Sequence, residues 1–144
     1  WINGPDSVLE STDCLLSGAP YPEPAATMYR CTHAIKGRLE FFIRQIELNA
    51  DKKTFMWVYE KLSVYLQIER SDFRKGSFRI SPLITDYIDT SGNKFTGYRF
   101  CIYFQAYGKG ISDTWDSLSA MFECLEKATK RLNSEMISGE AVPI

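Results

Sequence analysis

Residues 37–70 read GRLEFFIRQIELNADKKTFMWVYEKLSVYLQIER, the densest apolar run in the chain, divided by one polar break, Asn49-Ala50-Asp51-Lys52-Lys53. We read it as a long strand, a tight turn and a helix. Successive strand side chains alternate between faces, which puts Leu39, Phe41 and Ile43 on one side and Phe42, Ile46 and Leu48 on the other. Apolar residues on both faces predict a central strand over 28–48, covered on each side, with Gly37 marking a bulge or bend. Beyond the break, Phe55, Val58, Leu62 and Leu66 fall at i, i+3, i+7 and i+11, the spacing of one helical stripe, with Asp51 as N-cap. From Leu62 onward the alternation Leu62, Val64, Leu66, Ile68 against Ser63, Tyr65, Gln67 predicts a switch from helix to strand.

Downstream, Ser77 to Asp89 and Phe95 to Tyr107 read as the two arms of a hairpin joined by Thr90-Ser91-Gly92-Asn93-Lys94. Pro82 cannot donate to a ladder, so the first arm is an edge strand or is interrupted there. Residues 113–137 read as a long helix with Trp115, Leu118, Phe122, Leu125 and Leu132 on one face and Met121 and Ala128 beside it. Ser112 or Asp113 caps its start and Gly139 ends it. Upstream, residues 1–27 read as an extended, proline-containing N-terminal arm. Ser7 to Leu16 is expected to be a short helix, and Pro20, Pro22 and Pro24 force extended backbone around Tyr21. The expected fold is therefore α+β. One domain spans 28–144, a mainly antiparallel sheet carrying one helix of moderate length and one long C-terminal helix, preceded by the arm.

With 144 residues, 44% hydrophobic and 14% aromatic, the chain can bury a core without staples. The net charge of −1 gives no global attraction to polyanions. Residues 49–110, however, hold ten Lys/Arg against six Asp/Glu, a mildly basic middle between acidic ends. Cys14, Cys31, Cys101 and Cys124 show no C-x-x-C spacing, and the apolar settings of Cys101 and Cys124 favour buried thiols and an intracellular protein. The even count keeps a secreted protein open. The start at Trp1 without Met reads as a fragment or processed product. No apolar run approaches the roughly 20 residues that span a bilayer, so membrane contact is expected to be peripheral.

His33 is the only histidine, which excludes a two-imidazole metal site or a site built on a histidine pair. Cys31 and His33, two apart on a strand, lack a third group to orient a base, so no catalytic residue is assigned. Gly108-Lys109-Gly110 lacks the phosphate-loop pattern, and no cofactor or small-molecule substrate is implied. Two segments are candidates for binding. Lys52, Lys53, Arg70, Arg74, Lys75 and Arg79, interleaved with Phe73 and Phe78, have the chemistry to bind an anionic membrane or nucleic acid. Pro20, Tyr21, Pro22 and Pro24 form an extended segment suited to a partner's groove.

Pro20-Tyr21-Pro22-Glu23-Pro24, then Met28–Leu48, then Lys52–Leu62 resemble the proline-tyrosine arm, long strand and helix of rhabdovirus matrix proteins. Leu16-Ser17-Gly18-Ala19-Pro20 with Pro22-Glu23 also looks like a run in the bat-virus branch of that family. The resemblance implies a non-enzymatic structural protein that self-associates and binds the inner membrane surface and the nucleocapsid through basic residues, in host cytoplasm and virion. The reading kept beside it is a soluble partner-binding module of effector or inhibitor type, without catalysis, anchored by aromatic residues.

Overall fold

The strand, turn and helix expected over residues 37–70 are present with altered bounds. The structure is a computed structural model and describes residues 2–70 and 74–138. Seven principal elements follow in chain order: β1 (Leu9–Leu16), β2 (Tyr21–Pro22), β3 (His33–Ile43), α1 (Lys52–Arg70), β4 (Gly76–Ile88), β5 (Lys94–Gly108) and α2 (Ile111–Ser138), with short 3-10 turns at Pro24–Tyr29 and Ile46–Asn49. The five strands form one antiparallel sheet in the order β1-β3-β5-β4, with β2 on the far end of the β3 edge that β1 occupies. A helix of 19 residues and a C-terminal helix of 28 complete a single α+β domain.

β3 is central, as its sequence predicts, but the helices cover one face only, and on the other just the Ala34 end is buried, with Tyr107 against the 3-10 turn at Pro24–Tyr29. Ile35, Leu39, Phe41 and Ile43 pack beneath the helices with Phe100, Ile102 and Phe104 of β5. The other face carries Lys36, Arg38, Glu40 and Phe42. Ile46 and Leu48 fall outside the strand because the chain has already turned. Three phenylalanine rings join sheet to helix: Phe100 lies 4.2 Å from Phe55 of α1 and 5.1 Å from Phe41. Such buried stacked pairs contribute about 0.5–1.5 kcal/mol beyond area burial. Gly37 is regular strand, not a bulge. A Cβ there would lie 2.5 Å from the Leu15 carbonyl oxygen and from the Phe104 ring, so close approach is what requires glycine.

Three expectations are corrected. The segment read as an arm with a short helix is the edge strand β1. Its apolar pattern misleads because a bulge between Ser11 and Asp13 shifts the phase, so Leu9 and Leu16 both reach the helix side although they are seven residues apart. α1 does not switch to strand at Leu62 but runs to Arg70. Leu62, Tyr65 and Leu66 continue the buried helical stripe, and the alternation came from Val64 and Ile68, which are surface apolar residues. In α2 the buried stripe is Leu118, Met121, Leu125, Ala128 and Leu132, while Trp115 and Phe122 sit on its exposed flank. The hairpin holds: β4 pairs with β5 from Gly76 to Ile88 without a break, and β4 is the edge strand that Pro82 required. Gly139 lies outside the described residues. Cys31, Cys101 and Cys124 are buried and Cys14 is exposed.

The turn between β3 and α1 is fixed by Asn49, which is fully buried. Its Oδ1 accepts the Ile43 N–H at 3.0 Å, and its Nδ2 donates to the Ile43 carbonyl at 2.8 Å and the Ile46 carbonyl at 3.0 Å. Asn49→Ala leaves these groups buried without partners, each costing about 1–3 kcal/mol. We expect a loss of about 3 kcal/mol in unfolding free energy, read from the shift in denaturant midpoint.

Candidate docking groove

The six basic residues singled out in the sequence are not brought together. Lys52 and Lys53 stand in the first turn of α1, around a shallow depression shared with Asp51, Met56, Trp57 and Glu60. Arg70 ends the same 19-residue helix, about 27 Å away at 1.5 Å per residue. Arg74 is exposed just ahead of β4, and Lys75 is held by Asp113 of α2 at 3.3 Å. Arg79 projects from the uncovered sheet face, with its guanidinium 4.9 Å from the Tyr103 ring centre. Asp72 and Phe73 lie outside the described residues. The proline segment is built into the fold: Pro20 is buried, Tyr21 and Pro22 pair with Ala34 and His33, and Pro24 opens a 3-10 turn. Cys31 and His33 bond elsewhere, the thiol to the Tyr29 carbonyl and the imidazole to the Thr32 hydroxyl.

The uncovered sheet face is largely self-neutralised. Arg38 pairs with Asp13 at 3.0 Å, Arg99 with Glu40 at 3.1 Å, Arg44 with Glu10 at 3.6 Å and Lys36 with Glu23 at 3.6 Å. Phe42, Tyr87 and Phe95 form an aromatic ladder beside these pairs. Burial pushes the Tyr87 hydroxyl up to about 12 and raises the Cys101 thiol, so both stay neutral at physiological pH.

The concave surface of interest lies on the helix side. α1 turns one flank to α2: Lys61 approaches Glu135, the Tyr65 hydroxyl donates to Glu135, and the Glu69 carbonyl accepts the Cys124 thiol. The opposite flank, Tyr59, Ser63, Leu66, Gln67 and Arg70, faces Phe78 and Ile80 of β4 across a groove of about 280 Å³. Leu66, Phe78 and Ile80 give it an apolar lining, and Ser63, Gln67 and Arg70 a polar rim. No carboxylate is among these lining residues. The Tyr59 hydroxyl crosses the groove to donate to the Ile80 carbonyl at 3.0 Å. Reading the sequence singled out Arg70 and Phe78 but missed Tyr59, Ser63 and Gln67. Their polar i, i+4, i+8 spacing on a helix beside a proline-marked edge strand was the signal available.

The start of β4, and so one end of the groove, is tied to α2 through Asp113. Its carboxylate accepts the Lys109 N–H at 2.7 Å and the Lys75 ammonium at 3.3 Å. These contacts, the Lys109 N–H foremost, hold its pKa below the ordinary 3.8. A lowered folded-state pKa contributes stability above the ordinary value that is lost as pH falls through the lowered one. Denaturant midpoints measured from about pH 6 to about pH 2 should therefore fall less steeply for Asp113→Asn than for the wild type, with Lys75→Met intermediate. Comparison of the chain with known protein families, curated proteins and solved structures gave no match.

Proposed function

We propose that this chain is a non-enzymatic protein-binding module that seats its partner in the groove between α1 and β4. The observation that carries this reading is a trough with an apolar floor and a polar rim, running beside a sheet edge that has no neighbouring strand among the described residues. An open edge supplies hydrogen bonds for an incoming strand, and pockets beside it supply selectivity. Its volume of about 280 Å³ suits a few side chains better than a drug-sized ligand, for which pockets run to roughly 300–1,000 Å³. Selection of displayed random peptides against the wild-type domain tests it. Enriched peptides should bind Gln67→Trp, which fills the groove, about tenfold or more weakly. Peptides that ignore Gln67→Trp would sink the reading.

The matrix-type role is a second reading, favoured by one observation: Lys52 and Lys53 flank Met56 and Trp57 in an open depression. An indole beside two ammonium groups suits a peripheral site on an anionic membrane surface, or on a nucleoprotein during assembly. At about 1 kcal/mol per basic residue the two lysines contribute at most about 2 kcal/mol, which Asp51 and Glu60 of the same depression oppose. In flotation with phosphatidylserine liposomes, Lys52→Glu with Lys53→Glu should abolish binding. Retention of binding by that variant removes the membrane role.

A further inference from the structure

We infer that the occupant of the groove is a second copy of this chain, added antiparallel along β4 about a twofold axis at Ser81. The inference rests on the docking reading above and names its partner. The Lys75 carbonyl accepts the Tyr107 N–H at 2.8 Å, and the Ile80 carbonyl accepts the Tyr59 hydroxyl on the opposite side. Backbone direction alternates along a strand, so odd residues of β4 bond β5 while Gly76, Phe78, Ile80, Pro82, Ile84, Asp86 and Ile88 turn their backbone outward. Side chains of this even set lie on the helix side. Two of them, Ile84 and Ile88, are 73% and 62% exposed, on an edge strand of 13 residues whose register with β5 has no bulge. The opposite edge, by contrast, is bulged within β1 and broken at Ser17–Pro20.

Pairing about Ser81 sets Ile80 against Pro82, Phe78 against Ile84 and Gly76 against Asp86 of the second copy. Pro82 has no N–H to give, and the Ile80 carbonyl opposite it is already served by Tyr59. The Ile80 N–H remains free to bond the Pro82 carbonyl of the second copy. Ile84 of the second copy then lies beside Phe78 at the groove. Asp86 of the second copy arrives at the start of β4, where Arg70 and Arg74 supply the opposite charge. Every pair in the sheet is already antiparallel, and the new ladder continues that pattern.

Sedimentation from about 1 μM to about 1 mM should show a monomer–dimer equilibrium that weakens with salt. Ile84→Lys, at a site exposed in the monomer, should leave only monomer with unchanged helical circular dichroism, whereas Ile137→Lys on α2 should not. Tyr59→Phe strands the Ile80 carbonyl opposite Pro82 and should weaken the dimer about tenfold. The register is read by oxidation in a Cys14→Ser, Cys101→Ala background, since residue 101 pairs with residue 81 inside the chain. Ser81→Cys should give a disulfide-linked dimer. Arg79→Cys and Leu83→Cys should crosslink with each other when mixed, and neither alone. A monomer at all concentrations, a dimer indifferent to Ile84→Lys, or crosslinking of Arg79→Cys or Leu83→Cys alone in place of Ser81→Cys overturns the inference. A monomer that still binds the selected peptides would leave the docking reading standing.

Discussion

One buried side-chain amide sets the geometry on which the other elements depend. Asn49 occupies both backbone groups of Ile43, and thereby ends the β3–β5 ladder where a further pair would otherwise form. The chain must leave the sheet there, and the third Asn49 bond, to Ile46, shapes the 3-10 turn by which it leaves. β5 passes close by, and a Cβ at Gly97 would come within 2.8 Å of the Asn49 carbonyl oxygen. Position 97 must stay bare for the turn to sit so near the sheet. A polar group sealed in a core costs heavily when unpaired and rigidifies when satisfied. Asn49 is satisfied, and it directs α1 across the sheet.

From that angle the rest follows. α1 and α2 both cover the same face, because the loops after β3 and β5 emerge on one side. The face left bare must coexist with water, and it does so by pairing its charges along and across strands. Glu40 serves both Arg38 and Arg99, which leaves little net field for a polyanion to find. The unfilled surface is therefore on the helix side, where two helices do not reach the outer margin of β4.

How much of this was readable in residues 1–144 depends on whether a local rule or a tertiary contact decided the outcome. Pro82 forbids a central strand by its own chemistry, and the edge position of β4 follows. Thr90–Lys94 has turn chemistry and little else, and the hairpin closes there, with Asp89 accepting the Ser91 and Asn93 N–H groups. The β1 bulge had no such local mark, because it is defined by its partner β3. The exposed Val64 and Ile68 imitated a strand, since an apolar side chain carries no label saying which side it faces. The groove was half visible: Arg70 and Phe78 drew attention as a basic and aromatic cluster, but Ser63, Gln67 and Arg70 join Tyr59 on one helix flank only when the helix runs past Leu62. The six basic residues were close in sequence, yet strand alternation and helix length dispersed them to three surfaces.

Pro82 has two consequences at the β4 edge. It removes a donor from the middle of the strand, which weakens any passing strand that would pair across it. It also discriminates among registers of a second β4. An axis at Pro82 sets two prolines opposite each other, with carbonyls facing and no N–H between them, and sets Ile84 against an Ile80 carbonyl that Tyr59 already holds. Shifting the axis to Ser81 puts the missing donor opposite the one carbonyl that does not need it. A register shifted by an odd number of residues would set even residues of one copy against odd residues of the other, whose backbone groups β5 already holds, so only even steps are open. A single absent N–H and a single tyrosine hydroxyl thus distinguish one pairing from its neighbours, and the exposed Ile84, set against Phe78 of the second copy, supplies the apolar surface that gives that pairing its driving force.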